Sequence, residues 1–213
     1  MPIQTIQDIA DQVKVPFLVH FTQAPNLPSI FERGIYPRER CGELAVHPVV
    51  NDASRLDGKL SANCTSIGFP NSPMFFRFRK KNPNSEWAVL LLDPSILWEK
   101  QCAFCRHNAA DARISALPLQ DLTTAAAFAG MYEEIEGHES RMDQRLMSYD
   151  PTDIQAEVLV FGVIEPALIQ GIAFDNQRVK ERYEHLAAGK QVRIYGAGKG
   201  PFAARSSMFA DGF

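Results

Sequence analysis

Gln155-Ala156-Glu157-Val158-Leu159-Val160-Phe161 is the stretch on which the fold turns. Side chains along a strand alternate, so Gln155, Glu157, Leu159 and Phe161 share one face and Ala156, Val158 and Val160 share the other. The second face is wholly apolar, which predicts a strand inside a sheet. The first face is polar in its first half and apolar in its second. An unpaired carboxylate buried there is costly. Glu157 therefore has either a partner or a chemical role.

Outward from this strand, Phe17-Leu18-Val19-His20-Phe21-Thr22 repeats the pattern, with Leu18, His20 and Thr22 on one face. Trp87–Leu92 predicts a buried strand ended by Asp93-Pro94, and Leu60–Ile67, Gly171–Phe174 and Gln191–Tyr195 predict further strands. The spacing of Ile3, Ile6, Ile9 and Val13 predicts a short helix, as does Asn26–Gly34, with Asn26 as N-cap and Gly34 as the stop. An Ala-rich helix is predicted within 117–135, centred on Thr124–Met131, and a polar-capped one over Asn176–Ala188. Gly68–Pro73 is turn chemistry, residues 37–58 form a long polar loop, and the Gly- and Ala-rich last 18 residues read as loose. Strands scattered among helices without regular βα alternation favour a single mixed α+β domain spanning residues 1–213.

With 46% hydrophobic and 22% charged residues the composition is that of a soluble globular protein. No apolar run is long enough to span a membrane. The first residues lack the pattern of a signal peptide, and four cysteines then suggest reduced thiols in the cytoplasm. The net charge of −3 is unevenly spread. Residues 131–150 carry six acids against two bases, while seven bases and three acids follow from Arg178 onward. Arg77, Arg79, Lys80 and Lys81 form a second basic knot. Such regions suit a polyanion or simply a solvated surface.

A His and a hydroxyl two residues apart, His20 and Thr22, can reach one bound ligand; a histidine held by a backbone carbonyl is the bland alternative. Met74, Phe75, Phe76 and Phe78 interleave with Arg77, Arg79, Lys80 and Lys81. That suits single-stranded nucleic acid, or equally a core strand with Phe76 and Phe78 inward and Arg77 and Arg79 outward. Cys102-Ala-Phe-Cys105-Arg-His107 has too few ligands nearby for zinc, and buried structural thiols are expected.

Several segments together resemble one family. His20-x-Thr22, Asn26-Leu27, Arg55-Leu56-Asp57, Phe69-Pro-Asn-Ser-Pro-Met74-Phe75, Leu90-Leu-Leu-Asp-Pro94 and Pro151-Thr-Asp-x-Gln155-Ala-Glu157-Val-Leu-Val are similar, in this order, to the DarT family of DNA ADP-ribosyltransferase toxins. The resemblance covers roughly residues 15–175. It implies the ADP-ribosyltransferase fold, a split mixed β-core flanked by helices, with NAD in the cleft as substrate and no metal. It implies that His20 and Thr22 hold the ribose and nicotinamide amide, that Asn26 assists, and that Arg55 contacts the phosphates or the reacting centre. Glu157 is then catalytic with Arg55, and Gln155 faces the acceptor; Met74, Phe75, Arg77 and Arg79, from the interleaved aromatic and basic run, are the further candidates for contact with the nucleic acid. Residues 131–154 match the target-recognition loop by position. The implied partners are single-stranded DNA and a DarG-like macrodomain antitoxin. Guanine is favoured as the modified base by the Leu56-Asp57-Gly58 and Phe69-Pro70-Asn71 segments, with thymine the other candidate.

The residue types suit that chemistry. Cleaving the nicotinamide–ribose bond develops positive charge on the sugar, which a fixed carboxylate stabilises. An amide at Gln155 both donates and accepts, which fits a neutral base better than an arginine acceptor. A guanidinium at Arg55 suits diphosphate, although pairing with Asp57 is the plainer role. Rival functions are the same transfer to RNA, NAD hydrolysis, and a catalytically silent nucleic-acid-binding domain.

Overall fold

A computed structural model of the chain describes residues 4–44, 48–49, 58–196 and 198–206. The elements are α1 (Ile6–Val13), β1 (Leu18–Gln23), α2 (Leu27–Arg33), β2 (Ala62–Ile67), α3 (Ser72–Lys81), β3 (Trp87–Leu92) and α4 (Ile96–Glu99). They continue with β4 (Cys102–Cys105), α5 (Ala112–Ser115), α6 (Leu119–Leu122), α7 (Ala125–Gly130), β5 (Glu157–Phe161), β6 (Ile169–Phe174), α8 (Gln177–Tyr183) and β7 (Gln191–Ile194). The strands form one seven-stranded sheet in the order β4-β5-β2-β1-β3-β6-β7. Only β6 and β7 run parallel, so the predicted mixed α+β architecture is present.

The sheet is split at its centre. β1 pairs with β3 over six residue pairs, but with β2 over only two, Leu18↔Ile67 and Val19↔Ser66. Beyond Val19 the two strands diverge, and the opening between them becomes the cleft described below.

Alternation places both faces of the sheet against apolar layers. Ala88, Leu90 and Leu92 of β3, with Val158 and Val160 of β5, enter the main core beneath α1, α2, α4 and α7. Val89 and Leu91 point the other way, towards Phe75 of α3 and Phe202. Leu159 joins a third cluster with Ile114 and Leu122. Each Val, Leu, Ile or Phe side chain among them adds about 1.5–3 kcal/mol when fully buried.

Four sequence expectations are corrected. Residues 72–81 are a helix rather than a strand, because Asn71 caps it by accepting from Met74 N–H (3.1 Å) and three cations close its last turn. The 3.6-residue period then buries Phe75 and leaves Phe76 63% exposed. Residues 117–135 hold two short helices, since the Thr124 hydroxyl accepts from Ala127 N–H (3.0 Å) and starts α7 afresh. β4 was not anticipated; all four of its residues are buried, so it shows no alternation. The final segment is anchored as far as it is described, with Phe202 and Arg205 both buried.

Candidate active site

A cleft of about 980 Å³ opens where β1 and β2 part. His20, Thr22, Asn26, Met74, Arg77, Gln155 and Glu157 all line it, so residues 137 positions apart in sequence meet at one site.

Glu157 opens β5 and lies opposite Cys105 of β4. It is 4% exposed. Ala109 N–H donates to its Oε2 (2.9 Å), and Asn108 Nδ2 donates to the same oxygen (3.2 Å). Two donors on one oxygen fix the plane of the carboxylate. The segment after β4 is thus the support of Glu157, and its neighbour His107 supports the segment before β5. His107 Nδ1 lies 2.7 Å from Asp153 Oδ2, both side chains being buried. Asp153 Oδ1 in turn accepts from Gln155 N–H (2.8 Å), and its carbonyl accepts from Ala156 N–H (3.0 Å). This turn takes Gln155 out of the strand on which the sequence had placed it. Gln155 is exposed at the cleft wall instead, with its backbone held.

On the opposite wall, His20 Nδ1 lies 2.9 Å from the Cys64 carbonyl, across the gap between β1 and β2. A carbonyl only accepts, so Nδ1 carries the hydrogen and Nε2 is the acceptor of the neutral ring. Both readings of His20 hold together: it is satisfied by a carbonyl and it lines the cleft. The buried Thr22 hydroxyl accepts from Asn26 Nδ2 (3.0 Å). Asn26 was expected to cap α2, yet its side chain makes no capping bond. Its amide clasps Val49 instead, accepting from Val49 N–H (2.8 Å) and donating to its carbonyl (2.9 Å). That clasp ties residues 48–49 over the cleft.

Of the remaining predicted residues, Met74 and Arg77 lie on the cleft side of α3. Phe75 and Arg79 do not line the cleft. Phe75 is 2% exposed and stacks on Phe21, with centroids 4.5 Å apart. Arg79 donates to Asp175 (2.7 Å) and to the Phe202 carbonyl (2.7 Å). Both are packing residues of a helix that sequence alternation had treated as a strand. Arg55 and Asp57 lie outside the described residues.

Sequence reasoning missed Asn108, Ala109 and the His107–Asp153 pair. The signal was His107 itself, noticed only as an appendage of two cysteines. Without β4 there was no reason to bring it beside Asp153. Burial pushes the Cys102 thiol up to about 12, as suits a structural cysteine. Among the described residues, no group of three or more His, Cys, Asp or Glu is placed to hold a metal ion, and no helix is long and apolar enough to cross a membrane.

The segment 131–152 does not line the cleft itself but leads into Asp153, Gln155 and Glu157, which do. Arg141 Nη1 donates to the Asp150 carbonyl (2.6 Å) and to the Thr152 hydroxyl (2.9 Å), and Arg205 Nη1 donates to the Pro151 carbonyl (2.7 Å). Burial raises the Asp150 carboxyl against the opposing pull of its Met147 N–H bond and these two cations. The two guanidiniums fasten the turn that leads into Asp153, Gln155 and Glu157.

Among known protein families, the one described as "ssDNA thymidine ADP-ribosyltransferase, DarT" matches residues 19–202. No curated protein matches. Among solved structures, the chain is similar to Thermosipho africanus DarTG in complex with ADP-ribose, with a TM-score of 0.57 and 17% identity, covering 85% of this chain and 50% of that one. It is similar to Thermus sp. 2.9 DarT in complex with NAD+, with a TM-score of 0.52 and 13% identity, covering 85% and 96% of the two chains. The same Thermus protein in complex with ADP-ribosylated ssDNA gives 0.54 and 13%, covering 90% and 97%. This chain thus spans about half the length of the Thermosipho protein and nearly all of the Thermus one. At such identities these likenesses speak for the fold alone.

Proposed function

The chain belongs to the DarT family of ssDNA thymidine ADP-ribosyltransferases, and on that footing we propose that it moves ADP-ribose from NAD onto a base of single-stranded DNA, releasing nicotinamide. The observation that carries this is Glu157, a buried carboxylate fixed through one oxygen at a cleft whose other wall presents His20 and the Thr22–Asn26 pair.

In this reading NAD lies along β1, with its ribose and nicotinamide amide at His20 and Thr22. The C1′–N bond breaks and its electron pair leaves with neutral nicotinamide. The ribose becomes positively charged as the bond stretches, and the held carboxylate of Glu157 stabilises that charge without reorganising. A ring nitrogen of the acceptor attacks C1′ and loses its proton to Glu157. Gln155, exposed at the wall on a fixed backbone, reads the edge of the base. Met74 and Arg77 flank the acceptor from α3. Arg55 is assigned to the NAD phosphates by family resemblance alone.

The family's description names thymidine, so thymine is the acceptor proposed. Guanine, favoured from the segments at 56–58 and 69–71, is the alternative. We assign the protein to a toxin–antitoxin pair with a macrodomain antitoxin; the likeness to a DarTG chain supports this. The test uses NAD labelled in its adenylate half with DNA oligonucleotides, thymine-free and guanine-free versions of them, and matched RNA. Label on DNA that vanishes without thymine is the expected result. Label on RNA alone, or free ADP-ribose with no labelled acceptor, would replace the proposal with its rivals.

A further inference from the structure

The four cations of α3 divide into two groups. Arg79 faces inward, paired with Asp175 and packed over the Phe75 and Phe202 rings at 5.4 Å. Arg77, Lys80 and Lys81 are exposed and line the cleft, and they make no hydrogen bond or ion pair with any described residue. Elsewhere Arg40, Arg113, Lys180 and Arg182 each have a carboxylate partner, and other exposed cations without one among the described residues, such as Arg145, Arg178 and Lys199, do not line the cleft.

An unpaired trio on one helix is unfavourable by itself. Arg77 stands three residues from Lys80 and four from Lys81, so like charges are neighbours on the helix surface. The helix C-terminus offsets this for Lys80 and Lys81 through its dipole, but Arg77 lies in the middle of α3. Beside them stands Phe76, 63% exposed and one turn before Lys80. Its ring takes no part in the core. An exposed ring among unpaired cations, at the edge of a cleft, has the chemistry of a platform for unstacked bases and their phosphates.

Resting on the function proposed above, we propose that α3 is a track for the nucleotides that flank the acceptor base in single-stranded DNA. Arg77, Lys80 and Lys81 meet phosphates along roughly 6 Å of helix axis, and Phe76 stacks on a base outside the cleft. The enzyme therefore grips more strand than the base it modifies. Phe75, just before these residues in sequence, and Arg79, between them, hold the helix to the sheet and take no part.

The test measures binding of a fluorescent thymine-containing oligonucleotide of about a dozen nucleotides by anisotropy, over a salt series, for wild type, Phe76→Ala and the Lys80→Ala/Lys81→Ala double variant. Transfer is assayed separately on the same oligonucleotide and on a trinucleotide. All three positions are exposed, so the variants fold. The double variant is expected to bind the long strand about tenfold more weakly and to flatten the log–log salt dependence by about 1.4, at roughly 0.7 per phosphate contact. Phe76→Ala is expected to weaken binding by about tenfold with the salt slope unchanged. The trinucleotide and the KM for NAD should be the same in all three proteins. Unchanged binding and slope would overturn the track, as would a raised KM for NAD, which would place the cations on its diphosphate. Absence of transfer by a wild type that shows the predicted binding differences would refute the proposed chemistry and leave the track standing.

Discussion

Both described donors to Glu157 come from the two residues after His107, and this fixes what the residue scale predicts. Replacing Glu157 with Gln keeps an oxygen for the Ala109 N–H but removes the negative charge. Transfer is expected to fall by about 10²–10³-fold or more, with a melting temperature close to that of wild type. Asp153 is a different case. It joins His107 to the Gln155 backbone, all in buried or half-buried surroundings. Asp153→Ala strands the imidazole of His107 and the Gln155 N–H, and is expected to lower stability by about 1–3 kcal/mol. It should also weaken transfer, because Gln155 loses its anchor. Urea denaturation beside the labelling assay checks both. At this scale the sequence was informative where alternation and motif agreed, as at His20, Thr22 and Glu157, and by motif alone at Met74, all of which line the cleft. It misled at Phe75 and Arg79, because a period of two was applied to a segment whose period is 3.6, and it could not show that Asn26 spends its amide on Val49.

At the scale of elements, the site depends on joints between loops and strands. Gly34 ends α2 with φ of 100°. A Cβ there would run into the Ile164 carbonyl, which accepts from Ile35 N–H at 2.8 Å. Gly34→Ala combines a left-handed backbone with that collision, and about 2 kcal/mol or more of stability should be lost, read as a fall in the urea midpoint. The sequence marked Gly34 as a helix stop but could not show the close approach. Arg205 is a second joint. Its guanidinium satisfies the buried carbonyls of Pro151 and Thr152, so Arg205→Ala is expected to cost about 1–3 kcal/mol. Limited proteolysis should then cut within 141–152 sooner than in wild type. No pattern in the Gly- and Ala-rich end pointed to this arginine, because its partners are main-chain atoms. β4 was illegible for a related reason: a four-residue strand buried on both faces looks like any short apolar run.

For the molecule as a whole, the mixed sheet could be expected from the strand patterns, while its split was implied only by the family resemblance and not by any local pattern. The opening arises because β1 and β2 pair at only two positions, and register between distant strands leaves no local trace. Burial also gives the whole protein a pH dependence. The Cys102 thiol is raised from 9.0 to about 12 and the Tyr132 phenol is raised above 10.0, both chiefly by burial. The folded state then holds protons that the unfolded chain releases. The corresponding stability is complete below pH 9 and is lost as pH rises towards 12. The unfolding free energy should fall by up to about 1.4 kcal/mol per pH unit per group in that window. Cys102→Ala should show a shallower fall, whatever its stability at neutral pH.

The most direct measurement of the central claim sets wild type beside Glu157→Gln, with adenylate-labelled NAD and a thymine-containing single-stranded DNA oligonucleotide, following nicotinamide release and label on DNA together. The account predicts label and nicotinamide in equal amounts from wild type and neither from the variant. Equal labelling by the two proteins, or a folded wild type that leaves NAD intact, would contradict it.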